Sequence, residues 1–375
     1  MSESTAWRRR ALTIAVIAVL VISVVAIIVA LTTDSDEATV EFGGMKMTPS
    51  QLQEMTEESM GTDDLSKVDM VSSSDRKAEL EPRIVKGVKV FNLSARPIRW
   101  EYREGQTVAA WGYEAQVPGP AIRMMEGDRV RINVTNDLPV ATTVHWHGVD
   151  VPFDQDGVPS ITQKAIEPGE TFSYEFTARP AGTRLYHTHG SEPGDEARQL
   201  DMGLAGPLII ESPKQSKVDV DRTLVLDEWN VESDGLNVAM MSGAGHGAHN
   251  AGFNVFTING RAMPDFEPIE VKRGQKVRLR FINAGSSAIH PMHLHGQQVT
   301  VTALDGNTVP MTARLQRNVI TLQPGETTDV EFVAENPGVW MLHCHELHHA
   351  DGGMMTLLKY DGYEPIEKSH GSESH

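Results

Sequence analysis

Hydrophobic positions fall into three successive patterns along the chain. From Ala11 to Leu31 no residue carries a charge and most are Ala, Val, Ile or Leu, which is long enough to span a membrane's hydrocarbon as a helix. The next fifty residues show no apolar period. From residue 84 onward apolar and polar positions alternate: Val130, Ile132 and Val134; Phe172, Tyr174 and Phe176; Val277, Leu279 and Phe281. Period two predicts strands with one buried face. Turn signals (VPGP, EPGE, LDGN, QPGE) separate these runs, and no long helical period follows the first segment. The expected fold class is all-β after an N-terminal transmembrane helix.

Charge orients the first segment. Arg8, Arg9 and Arg10 precede it and Asp34, Asp36 and Glu37 follow it, so the N-terminus is expected in the cytoplasm and the rest outside the cell membrane. A cleaved signal peptide is the alternative, although its apolar core is normally shorter and no small-x-small site follows. Residues 33–82 hold 13 acidic and four basic residues and read as a flexible tether, with one short helix starting at Thr48-Pro49. Over all 375 residues the 33 Lys and Arg face 51 Asp and Glu, a net charge of −18. A chain this acidic does not suit a nucleic-acid partner, which needs a basic face.

Two copies of one pattern follow the tether. EGDRVRINVTND, HWHG, EPGETFSYEF and AGTRLYHTH in the first copy answer KRGQKVRLRFINA, HLHG, QPGETTDVEF and NPGVWMLHCH in the second. Pro168 and Pro324 are 156 residues apart, and the same offset separates His187 from His343 and Phe176 from Phe332. A repeat that keeps its offset implies two copies of one fold. The expected organisation is a cytoplasmic stretch 1–10, an anchor 11–32, a tether 33–83, β-sandwich domains 84–215 and 216–362, and a polar tail 363–375.

Most of the 15 His lie in four short motifs: His145-Trp-His147, His187-Thr-His189, His290-Pro-Met-His293-Leu-His295 and His343-Cys344-His345-Glu-Leu-His-His349. On a strand an HxH pair puts both imidazoles on one face. The eight imidazoles of the HxH pairs, with no carboxylate within any pair, suit copper better than calcium or magnesium. Cys344, the single cysteine, excludes a disulfide framework and a cysteine-based zinc site. It sits between two His and should face the other way, toward His290, His349 and Met354. One thiolate, two imidazoles and a weak thioether make a blue-copper electron-transfer site.

These motifs resemble those of the multicopper oxidases, which include laccases, cuprous oxidases and bacterial copper-resistance oxidases, and the two-domain or small laccases in particular. The resemblance covers roughly residues 85–360 and implies two cupredoxin-like Greek-key domains. It implies four coppers per chain. His290, Cys344, His349 and Met354 correspond to type 1 ligands, and His145 and His293 to type 2 ligands. His147, His187, His189, His295, His343 and His345 correspond to the ligands of the type 3 pair. It further implies oxidation of a phenol or aromatic amine, reduction of O2 to water, and a homotrimer in which the first domain of one subunit faces the second domain of the next.

Cys344, His290, His349 and Met354 align with Thr188, Thr142, Pro193 and Arg198, so one blue site per chain is expected, in the second domain. That argues against a copper nitrite reductase, which carries it in the first. Asp156, at a family spacing after His147, is a candidate for proton delivery, and Asp351 a second. Glu346 and a Gly-rich loop carrying Met240, Met241, His246 and His249 keep a Cu(I) or Fe(II) oxidase open as an alternative; a non-catalytic copper carrier is another. Met45, Met47, Met55, Met60 and Met70 read as incidental to the tether rather than as a Cu(I) tract. His348, His370 and His375 read as surface residues.

Overall fold

The computed structural model describes residues 40–42, 45–62, 64–191, 195–232, 235–237 and 252–365. The segment 11–32, the loop holding Met240, Met241, His246 and His249, and the tail with His370 and His375 lie outside them. Among the described residues no helix is long and apolar enough to cross a membrane. Near the start of the described residues, Val40–Phe42 pairs antiparallel with Met45–Met47.

The remainder is mostly β, in cupredoxin-like sheets, and it builds the repeat twice. In the first copy β1 (Val88–Arg103) runs parallel to β2 (Arg129–Asn136), while β3 (His145–His147) belongs to a second sheet. β4 (Thr171–Thr177) pairs antiparallel with β2. In the second sheet β3 pairs with β5 (Gly182–His187), and β5 with β6 (Ala205–Glu211). The second copy repeats each relation. β7 (Val220–Trp229) runs parallel to β8 (Lys276–Asn283), and β9 (His290–Leu294) lies in the other sheet. β10 (Thr327–Val333) is antiparallel to β8, and β11 (Val339–Cys344) joins β9 to β12 (Met355–Tyr360).

The predicted alternation buries one face of β2, whereas β8 is buried on both faces from Val277 to Asn283. Along β2, Val130, Ile132 and Val134 are buried and meet Trp146, Tyr186 and Leu208 from the other sheet. In the second copy Leu279, Phe281 and Val330 meet Met292, Leu342 and Leu358. Each such side chain contributes about 1.5–3 kcal/mol of burial. A third cluster spans both copies, with Trp100 and Val108 against Trp229 and Val255. Trp100 Nε1 donates to Gly260 O at 2.8 Å, Thr327 Oγ1 to Thr183 O at 2.8 Å, and Arg280 Nη1 to Thr183 Oγ1 at 2.7 Å.

The acidic segment departs from the expected flexible tether. A helix, α1 (Pro49–Ser59), does start where Pro49 predicts. One face is docked: Leu52 and Thr56, with Met60 just past the helix end, are spaced one helical turn apart and buried. Met60 belongs to the first core cluster, and Trp111 Nε1 donates to Ser59 O at 3.0 Å. Further on, Met70–Ser72 pairs with β1 in parallel. Acidic composition put Glu54, Glu57 and Glu58 on the outer side of α1 and left an apolar stripe facing the sandwich, so composition alone concealed an ordered segment.

Candidate metal centres

Two groups of side chains are built back to back on β11. Cys344 and His343 are successive residues and therefore point to opposite faces. On the inner face Cys344 Sγ lies 3.6 Å from His349 Nδ1 and 3.9 Å from His290 Nδ1, and the two imidazole nitrogens are 3.2 Å apart. β9 delivers His290, because its register sets Met292 opposite Cys344 and His293 opposite His343. A short helix, α2 (Glu196–Asp201), belongs to the first copy; its counterpart α3 (Leu347–Asp351) delivers His349. Glu346 caps α3, its Oε2 accepting from His349 N–H at 2.9 Å. Met354 is fully buried in the same cluster as Cys344 and Met292, and its carbonyl accepts from Cys344 N–H at 3.0 Å. Phe256 stacks on His349 with ring centroids 4.1 Å apart.

The donor set fits a soft cation. His290 directs Nε2 at Glu228 Oε2 (3.1 Å) and His349 directs Nε2 at Glu346 Oε2 (3.3 Å). With those nitrogens donating, both Nδ1 lone pairs face each other and the sulfur, an arrangement that a shared cation satisfies. Burial pushes the Cys344 thiol up to about 12, so the thiolate forms only as a cation enters, with release of a proton.

On the outer faces lie the HxH pairs. In the first copy the His145 ring centroid is 5.8, 5.4 and 5.2 Å from those of His147, His187 and His189. In the second, His293, His343 and His345 stand 5.7 Å from one another, and His295 Nε2 approaches His343 Nε2 to 3.1 Å. The acceptors that orient these rings repeat as well. His145 Nδ1 donates to Asp156 O at 2.7 Å and His293 Nδ1 to Asn318 O at 2.6 Å. His187 Nδ1 donates to Thr188 O, and His343 Nδ1 to Cys344 O, both at 2.7 Å. Each bond fixes a tautomer and turns the Nε2 lone pair outward. Burial, reinforced by His145 and His147, pushes His187 down to about 3, which keeps its imidazole neutral.

Within one chain the two sets stay apart. A cleft of 460 Å³ over the first set is completed by Ala284, Ser286, Pro324 and Gly325 of the second copy, not by its histidines. Where the second copy has the thiolate group, the first has a neutral network: Thr142 and Thr188 hydroxyls lie 3.1 Å apart and both donate to Gln199 Oε1, at 2.7 and 2.9 Å.

Of the two acidic candidates, Asp156 is at the site, its carboxylate 3.4 Å from His145 Nδ1. Asp351 ends α3 and is exposed. His348 is exposed as expected. Sequence reasoning missed Glu196, whose carboxylate lies 3.2 Å from His189 Nδ1 and 3.7 Å from His187 Nδ1, and Glu228. The available signal for Glu228 was a pair of acids, Asp227 and Glu228, inside the apolar run of β7.

Comparison with known proteins agrees with this arrangement. Residues 95–215 and 237–362 each match a multicopper oxidase family. Copper resistance protein A of Pseudomonas syringae pv. tomato is 30% identical over 249 residues, which is 55% of this chain and 40% of that protein; the chain thus spans less than half of that relative's length. The blue copper oxidase from Nitrosomonas europaea superposes with a TM-score of 0.64 at 35% identity, covering 72% of this chain and 85% of that one. The multicopper oxidase mgLAC gives 0.66 at 33% identity, covering 75% and 89%.

Proposed function

The chain belongs to the multicopper oxidase family, of the small laccase type, and from that premise we propose that it couples four one-electron oxidations of a small reductant, a phenol or aromatic amine, to reduction of O2 to two waters. The carrying observation is the back-to-back placement of Cys344 and His343 on β11. His290, Cys344, His349 and Met354 would hold type 1 copper. His145 and His293 would hold type 2 copper, and His147, His187, His189, His295, His343 and His345 the type 3 pair. Copper at these positions supplies reversible one-electron chemistry and binding of O2.

The protein's own part is orientation and charge. His349, half-buried at the rim beside exposed Leu347 and Ile289, is the ring that meets the reductant. Cys344 reaches His343 through a single peptide bond, a short covalent link between the two faces. Asp156, beside His145, handles protons on the first-copy side of the cluster, and Asp351, exposed at the end of α3, is the second candidate for proton delivery.

The cluster itself requires His pairs from both copies, and one chain keeps them apart. We therefore place it between subunits of a homotrimer, first copy against second, which closes a ring of six domains. Exposed Phe153 and Ile161, on the loop carrying Asp156, support a covered surface there. The charge asymmetry around residues 11–32 supports anchoring of that trimer to the cell membrane with its catalytic domains outside.

A second reading, oxidation of Cu(I) or Fe(II), is favoured by one observation: the Glu346 carboxylate lies at the rim on His349 Nε2, where it attracts cations. Copper loading of the chain with measurement of copper per chain and O2 uptake tests the oxidase reading. Four coppers with turnover are expected; one copper without O2 uptake reduces the chain to an electron carrier. Relative turnover of a phenol and Cu(I) then separates the two substrates.

A further inference from the structure

Both imidazoles of the thiolate group direct Nε2 at a carboxylate, but the two carboxylates differ in solvent. The Glu346 side chain is 39% exposed, and that of Glu228 is 0% exposed, as is that of His290. Water screens the first charge; nothing comparable screens the second. Glu228 Oε1 accepts from the backbone N–H groups of Ser287 (3.2 Å) and Ala288 (2.9 Å), and Oε2 from His290 Nε2 (3.1 Å). Two of the three partners are backbone N–H donors, which suit a carboxylate; the third, His290 Nε2, donates in the tautomer that leaves Nδ1 free toward Cys344. The segment that supplies them wraps tightly: a Cβ on Gly285 would lie 1.9 Å from Glu228 Oε2.

Two further acids share that interior. Asp227 is buried beside it, and burial together with the Glu228 charge drives its carboxyl well above the usual range. Burial likewise pushes Asp201, at the end of α2, up to about 7. Of the three carboxyls, Glu228 is the one held by two backbone N–H groups on one oxygen and facing His290 with the other.

We propose that Glu228 is the positioning residue of the type 1 centre: it locks His290 with the Nδ1 lone pair toward Cys344, and its buried charge favours the oxidised metal and so lowers the reduction potential. This rests on the type 1 reading given above. The histidine lock follows from the hydrogen bond, since an imidazole donating through Nε2 keeps Nδ1 free for a cation. The lowered potential follows from adding a fixed negative charge next to a site that loses one positive charge on reduction.

The test compares copper-loaded full-length wild type with Glu228→Gln, Glu228→Asp and Glu346→Gln, reading the blue band and the type 1 potential by redox titration. Glu228→Gln, which keeps the shape but not the charge, is expected to stay blue with a raised potential, shifted further than in Glu346→Gln. Glu228→Asp is expected to fall nearer wild type. An unshifted potential in blue Glu228→Gln, or a shift no larger than that of Glu346→Gln, overturns the proposal. Where the Gln variant does not fold, the wild type still decides: in the Cu(I)-loaded chain with 15N-labelled histidine, His290 Nε2–H is expected to exchange slowly with solvent, and fast exchange overturns the lock. A wild type without any blue band refutes the underlying type 1 reading instead, and is seen before any variant is compared.

Discussion

Cys344 and His343 share a peptide bond and serve opposite faces of β11, with Cys344 Sγ 3.6 Å from His349 Nδ1 and His343 Nε2 3.1 Å from His295 Nε2. The two groups are therefore separable by chemistry though not by position. Cys344→Ser is expected to abolish the blue band and bring O2 uptake with an organic reductant to background, while three coppers per chain remain. Loss of all copper would show that the two groups do not load independently.

Separation of the His sets within a chain leads to a complementation test. A His145→Ala/His147→Ala variant and a His343→Ala/His345→Ala variant are each expected to be inactive. Mixed and reassembled, they should regain a fraction of wild-type O2 uptake, because the sound second copy of one meets the sound first copy of the other. No recovery in mixed oligomers verified by mass would place the cluster within single chains and defeat the ring arrangement.

Glu196 lies against His189 and His187 and is itself raised by burial, the charge of His145 working against that rise. Removing an outer partner of a ligand histidine typically weakens metal affinity about 10–100-fold. Glu196→Gln is expected to show a loss of that size for copper bound at the first-copy set, read by chelator competition, with the blue band unchanged. Unaltered affinity would assign Glu196 to the surface alone.

Asp201 gives a pH signature. Its carboxyl titrates near 7 in the folded chain against an ordinary 3.8, through burial first and the Glu228 charge as well, with a Ser286 hydrogen bond opposing. Between those values the folded state holds a proton that the unfolded state has lost, so this residue makes stability fall as pH rises from about 4 to 7. Asp201→Asn should gain on wild type across that window and keep a constant advantage of roughly 2–4 kcal/mol above it. His187, lowered to about 3, makes stability rise over about pH 3 to 6.5 in both proteins and cancels in the difference. Urea midpoints of the copper-free chains against pH check this; a pH-independent difference would deny the titration.

What could be read beforehand was whatever depends on local period and spacing. Two-residue alternation gave the strands, and the same alternation separated Cys344 from His343 and His345 and paired the imidazoles. The unread part depends on distance through the fold. Glu228 reaches His290 from 62 residues away because β7 and the turn after β8 pack together, and no local pattern encodes that. The carbonyls of Asp156 and Asn318 that orient His145 and His293 belong to the backbone and carry no residue identity at all. Leu52, Thr56 and Met60 did show a helical stripe, which the acidic residues around it obscured.

Gly182 and Gly306 bring the two copies together backbone against backbone: a Cβ on Gly182 would fall 2.1 Å from Gly306 O. The angle between one chain's two outward faces is thereby set before any subunit meets another. The ring proposed above depends on that angle, which is fixed within the chain by this backbone contact. A side chain at Gly182 would force the two copies apart at this point and change that angle without touching any of the histidines.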